Sequence, residues 1–421
     1  MKRGESGAAS TNAGYTYIGQ LIAHDIVPET TPSRHSRTVT RHLNLDSLYG
    51  TPRDKAVLFD EYGRFLIRHA DDDHPDDLVR DPTGRAVIPD LRNDENTIVA
   101  QLHLFFLKLH NLIIDNKWAD DADDARHLVT LLFQLLVVED FLFHILKINV
   151  YRSYFHKHKR WLPIDKLRIP REFSHAAFRF GHSMVRENYT GFGAGFGAES
   201  GRKELVELFR RSQRLTRDFE IHWPAFFHFA QLRPSQSALH IDTQITKSMA
   251  QIPMSNPNMP DPIDIIERNL TAGRDAGLPS GYAYLKGVRS SPKGAKIVQK
   301  FGLRALADFG KLESRLEPDH GLDIADLYLW PYLLLEAEQN RAGATLGVLG
   351  SLIVAEVLSS SIEGAQHTIY MDGRYEFEEV LRRMGDLGNK LAEIIDAHDT
   401  QTEDGYRRIC MCHVITLLTE N

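Results

Sequence analysis

The chain has 421 residues and is 42% hydrophobic, enough to bury one large core or two modest ones. A net charge of -7 and a pI near 6.3 argue against a nucleic-acid or anionic-membrane partner, which needs a basic face. The two cysteines, Cys410 and Cys412, are two residues apart, a poor disulfide pair and no framework of bridges. With no apolar run in the opening MKRGESGAASTNAG, this points to a reducing, cytoplasmic setting.

The first element is YTYIGQLIAHDI, residues 15–26, where Ile18, Leu21, Ile22 and Ile26 recur at helical steps. Gln20 and His24 lie one turn apart on one face, while Asp25 is rotated about 100° away. Taken alone, the segment is a helix end with a hydrogen-bonded histidine and a solvated acid. Further helical patterns run over 97–117, 124–150, 173–187, 202–217, 323–338, 345–361 and 375–396. TIVAQLHLFFLKLHNLII is apolar almost all round, as in a helix buried in a large core. LVTLLFQLLVVEDFLFHIL is interrupted by Gln134, Glu139 and Asp140, which argues against a membrane span. Strand patterns are scarce, HIDTQI at 240–245 being one. Turn signals cluster at 27–40, 71–90, 188–201 and 252–262, none of them long or biased enough for a linker. These patterns predict one mainly α domain over residues 1–421.

Few motifs carry chemistry by themselves. GFGAGFG at 191–197 has no strand before it and lacks the spacing of a phosphate loop, so it predicts a surface loop. HKHKR at 156–160 is a solvated basic face, and EFSH at 172–175 lacks the second such motif that a di-iron bundle needs. Three segments hold more. LRNDEN places Arg92 and Glu95 before a buried helix, FSHAAFRFGHSMV embeds Arg179 and His182 among core residues, and IERNLTAGRDAGLPSG holds Asn269. Singly they read as a solvated charge, a satisfied core histidine and a helix end.

In this order the segments resemble the animal haem peroxidase family, within the peroxidase–cyclooxygenase superfamily, and its bacterial members most. GQLIAHD is similar to the family's distal helix, LRNDENTIVAQLHLFFLKLHN to its distal arginine and following helix, and FRFGHSMV to its proximal helix. RNLTAGRDAGLPSG matches its asparagine element, with Ala276 where histidine is usual; LDSLYG and GATLGVLGSLIVAEVL extend the likeness to both ends. The resemblance implies a mainly α, single-domain fold with haem b buried between the distal and proximal helices.

It also implies roles. His182 would be the axial iron ligand, donating its other ring proton to Asn269. His24 would move the peroxide proton, and Arg92 would stabilise charge on the breaking bond. Gln20 would hold water or a small anion, and Arg179 would pair with a haem propionate. Asp25, Thr40, Asn44 and Asp46, with the His42 carbonyl, would hold calcium. Asn44 stands where the family has aspartate and Asp46 where serine is common. Because Ala23 cannot esterify haem, Glu95 is the one acid left for a covalent link. The implied activity is reduction of hydrogen peroxide through a ferryl state, with a small donor oxidised. Alternatives on the same scaffold are a fatty-acid dioxygenase, which uses a tyrosine where Arg179 stands, and a haem-free, non-catalytic member. Halide, thiocyanate, phenol and lipid donors stay open, as does the oligomeric state.

Overall fold

The structure is a computed structural model that describes residues 1–28, 40–52, 54–163, 168–193, 201–209, 213–229, 235–253, 262–303, 324–398 and 407–420. Among the described residues, helices of ten or more residues are Gly14–Ile26 (α1), Thr97–Asp115 (α2), Ala122–Leu135 (α3), Ile265–Asp275 (α4), Gly281–Ser290 (α5), Leu329–Glu338 (α6), Val348–Glu363 (α7), Gly385–Ala397 (α8) and Met411–Glu420 (α9). The molecule is mainly α, as predicted.

Several boundaries differ from the sequence reading, each for a local reason. The pattern at 124–150 divides: α3 runs into a π-helical stretch at Leu136–Leu142 and a last turn at Phe143–Ile145. The pattern at 173–187 becomes a short turn, Arg171–Ser174, and a 3₁₀ helix, Ala177–Met184. Apolar spacing over so short a segment does not separate the two helix types. The 375–396 pattern breaks at Gly385, whose φ of 56° is left-handed. Among the described residues of 202–217, Leu205–Leu208 is helical and a 3₁₀ turn begins at Arg217, while 210–212 lie outside the described residues. So do 194–197 of the glycine run and most of the turn clusters at 27–40 and 252–262. The strand expected at 240–245 is confined to Gln244–Ile245, which pairs in parallel with Lys2–Arg3.

By packing, the chain is organised as two compact units. The first comprises Met1–Thr11, Leu142–Glu187 and Ser237–Ser360. In it α6 packs on the 3₁₀ helix and on α4 and α5. Buried Glu336 caps the start of α7 by accepting from Leu349 N at 2.9 Å and Gly350 N at 3.2 Å. The second comprises Asn12–Phe141, Asn188–Gln236 and Ser361–Asn421. Its centre is α1 against α2, and Ile18, Leu21, Ile22 and Ile26 are all fully or nearly fully buried. Gly14 opens α1 where the Phe227 ring crosses: a Cβ there would lie 2.3 Å from the ring.

Two helical stretches, Thr97–Asp115 and Ala122–Ile145, are long and apolar enough to cross a membrane, but both are mostly buried in protein. The polar residues that interrupt the second are all paired. Gln134 donates to the Leu43 and His367 carbonyls at 2.9 and 2.7 Å, Glu139 accepts from the Tyr375 hydroxyl, and Asp140 accepts from Met411 N at 2.8 Å. The expectation for the cysteines is corrected: Cys410 and Cys412 are joined, their Cα atoms 5.3 Å apart, within the span a disulfide bridges.

Candidate functional site

The residues singled out by sequence fall into two groups, one in each unit. In the second unit, α1 presents His24, buried at 7% exposure, and Gln20. A 3₁₀ turn at Leu91–Asp94 presents Arg92 and Asn93. That turn is fixed at both ends. Asp90 caps it by accepting from Arg92 N, and Asp94 receives a two-point bond from buried Arg80 at 2.7 and 2.9 Å. Asn96 links the helices: its Oδ1 caps α2 through Ile98 N and Val99 N, and its Nδ2 donates to Gln20 Oε1 at 3.1 Å.

Arg92 is more occupied than the sequence implies. Its Nε and Nη2 bond Asp90 at 2.9 and 2.7 Å, and Nη2 and Nη1 donate to the His24 and Val27 carbonyls at 2.7 and 2.9 Å. The guanidinium therefore closes the carboxyl end of α1, where cations are favoured. His24 has a partner that sequence reasoning missed: its Nδ1 lies 2.8 Å from Asn93 Oδ1, and Asn93 Nδ2 lies 2.9 Å from His103 Nδ1. His103 is fully buried, and burial pushes its pKa down to about 3. The only sequence signal was a histidine inside the apolar α2 pattern. Glu95, three residues after Arg92, is exposed.

In the first unit the 3₁₀ helix carries Arg179 and His182, and α4 carries Asn269, which is 1% exposed. His182 Nδ1 is 2.7 Å from Asn269 Nδ2, and Arg179 Nη1 donates to Asn269 Oδ1 at 2.6 Å. The expected pairing is present but its direction is reversed. Arg179 can only donate and takes the amide oxygen, so the amide nitrogen faces His182. Burial, then Arg179 and Arg268, push the His182 pKa down to about 3, so the ring is neutral, the state that ligates metals. Burial and Arg268 likewise lower Arg179, to about 10. Both guanidiniums act on His182, and Arg268 is a residue the sequence reading passed over.

These residues fit haem. His182 retains accessible surface despite its depth, and a Cβ on neighbouring Gly181 would meet no atom within 4 Å, so there is room at the next position of the helix. Neutral imidazole, room and paired cations suit an iron macrocycle with carboxylate tails.

The oxygens expected to hold calcium do not fit an ion equally well. Buried Asp25 accepts from Leu45 N at 2.9 Å and Ser47 N at 2.8 Å. The His42 carbonyl accepts from Asn44 N at 3.0 Å, and Asn44 Oδ1 accepts from Gln366 N at 2.9 Å. Asp46 accepts from Thr40 Oγ1 at 2.9 Å and from Arg126 Nη2 at 2.7 Å. Asp25, Asn44, Asp46 and the His42 carbonyl each already accept from a proton-bearing partner, Thr40 Oγ1 is a donor to Asp46, and Arg126 already brings a positive charge. The calcium expectation finds no support in this arrangement.

Residues 38–364 match the model of a family described as animal haem peroxidase, a span that includes Arg92, His182 and Asn269 but begins after His24. The chain is 25% identical over 288 residues to thyroid peroxidase of Rattus norvegicus, covering 65% of this chain and 30% of that protein. It thus spans less than a third of that relative's length. Among solved structures, peroxidase A from Dictyostelium discoideum superposes with a TM-score of 0.59 at 14% identity, covering 92% of this chain and 87% of the other. Fatty acid alpha-dioxygenase from Arabidopsis thaliana superposes with a TM-score of 0.62 at 13% identity, covering 96% and 74%. At these identities the two structures show a shared fold.

Proposed function

The chain belongs to the animal haem peroxidase family, and from that premise we propose that it is a peroxidase that holds haem b through His182, reduces hydrogen peroxide and oxidises a small donor such as a phenol or halide. The observation that carries this reading is the proximal group: a neutral His182 bonded to Asn269, with Arg179 and Arg268 acting on the ring. Hydrogen peroxide would take up two electrons and two protons and leave as two waters, while two donor molecules each lose one electron. Haem, when bound, supplies the redox chemistry.

The chain's own residues supply position and protons. Binding through His182 Nε2 requires the ring proton on Nδ1, so Asn269 must turn its oxygen to His182 once a carboxylate engages Arg179. His24 would take a proton from peroxide at Nε2 and return it to the departing oxygen. Arg92, held by Asp90, keeps a permanent positive charge at the end of α1, and Gln20 offers its amide to water or a small anion. An ester to haem, if one forms, falls to Glu95; acidic organic extraction should then strip all haem from Glu95→Gln. Calcium on Asp25, Thr40, Asn44 and Asp46 belongs to the resemblance, and no step of this reading runs through it.

The test is the visible spectrum of the haem-reconstituted protein before and after peroxide. Wild type should show a haem spectrum that changes with peroxide, and His182→Ala should lose the haem absorbance; an unshifted full spectrum in that variant would sink the assignment. The rival reading, a fatty-acid dioxygenase, shares the fold likeness but meets Arg179 where its radical tyrosine is expected. Sustained oxygen uptake with an unsaturated fatty acid, persisting in Arg179→Ala, would establish it instead.

A further inference from the structure

We propose that Asn93 and His103 are positioning residues that hold neutral His24 in one tautomer, with its proton on Nδ1, so that Nε2 is the atom that receives a proton. The inference rests on the reading of His24 as the group that takes the peroxide proton.

An amide has one accepting end and one donating end, so the two histidines on either side of Asn93 cannot choose tautomers independently. With Oδ1 2.8 Å from His24 Nδ1, the His24 proton is required at Nδ1. With Nδ2 2.9 Å from His103 Nδ1, that nitrogen must be bare and the His103 proton must sit on Nε2. Asn93 is fully buried and lies between two pinned neighbours, Arg92 on Asp90 and Asp94 on Arg80, so its backbone has little room to reorient.

His103 makes the arrangement more than a packing accident. Its Nε2 is buried with no hydrogen-bond partner among the described residues, and His103 lines a small cavity with the apolar side chains of Leu58, Phe65, Leu78 and Leu107. An unpaired polar group in such a place is destabilising. A phenylalanine or leucine would fill the space without that cost, and a buried polar atom left unpaired asks for a functional reason. The depressed pKa of His103 keeps the ring neutral, so its Nδ1 stays available as an acceptor.

The experiment uses the full chain without haem, labelled with ¹⁵N-histidine, and reads tautomers from two-bond proton–nitrogen correlation spectra. His24→Gln and His103→Phe assign the two rings by loss of signal. Wild type should show His24 protonated at Nδ1 and His103 at Nε2. In Asn93→Asp, where both side-chain oxygens accept, His24 should keep its tautomer while His103 reverses to Nδ1–H. In Asn93→Leu and His103→Phe, His24 should shift toward the Nε2–H form, with circular dichroism confirming a folded chain. A purely structural role would not produce the reversal in Asn93→Asp. In the haem-loaded protein, Asn93→Leu should slow the reaction with peroxide by about a hundredfold, the low end for loss of a general acid–base group. His24 protonated at Nε2 in wild type would overturn the inference and leave the peroxidase reading intact. A haem-loaded protein inert to peroxide would overturn that reading while the haem-free spectra stayed interpretable.

Discussion

At the scale of single residues, Arg92 and Arg179 serve structure as well as charge. Arg92 neutralises Asp90, which is 2% exposed on its side chain, and closes α1 beside His24. Removing one partner of a buried pair leaves the other charge stranded, so Arg92→Ala should lose about 3 kcal/mol of stability in denaturant unfolding. An unchanged midpoint would show that the pair contributes nothing to the fold. Arg179 occupies the oxygen of Asn269 that His182 needs as an acceptor. A haem with both propionates esterified cannot draw Arg179 away, and a bond to a charged group is worth about 1.5–3 kcal/mol. Haem dimethyl ester should therefore bind about tenfold more weakly than haem in a titration followed by absorbance, and equal affinity would count against propionate engagement of Arg179.

At the scale of elements, backbone N–H groups tie the segment from Thr40 to Gly50 to α1. Leu45 takes a left-handed φ of 56°, which aims its N–H and that of Ser47 at the two oxygens of Asp25. Arg126, one turn into α3, lies 4.9 Å over the Tyr49 ring and bonds Asp46. Dialysis against a calcium chelator is therefore expected to leave the thermal midpoint unchanged, whereas Arg126→Met should lower stability by about 2 kcal/mol. A stoichiometric calcium ion that resists dialysis, or a midpoint that falls on chelation, would restore the family's usual site.

At the scale of the whole molecule, buried neutral histidines set the response to acid. Burial lowers His103 to about 3, and burial lowers His110 to about 4; burial and His398 lower His413 to about 4. An unfolded chain protonates these rings near pH 6.5, so between that value and about 3–4 the unfolded state binds more protons. The stability they contribute is fully present above pH 6.5 and is lost as pH falls through the folded values. Each ring adds a slope of up to about 1.4 kcal/mol per pH unit in this window. Urea midpoints for the haem-free chain should drop steadily below pH 6.5, and a flat profile down to pH 4 would contradict the neutral burial of these side chains.

What the sequence by itself determined is what local periodicity and motif order encode. The apolar spacing of Ile18, Leu21, Ile22 and Ile26 sets α1 and its buried face, and the unbroken apolarity of α2 sets its place in the core. The residue types at 20, 24, 92, 179, 182 and 269 were legible because their order along the chain resembles one family. Tertiary structure alone decided the partners. Nothing in sequence spacing says that Arg92 turns to Asp90 and to helix carbonyls, that Arg179 reverses the Asn269 amide, or that His103 reaches Asn93 from ten residues further on. These outcomes follow from hydrogen-bond capacity: a guanidinium can only donate, an amide does both, and a neutral histidine does one at each nitrogen. Which donor meets which acceptor depends on side chains far apart in sequence, so it is settled only when the chain has packed.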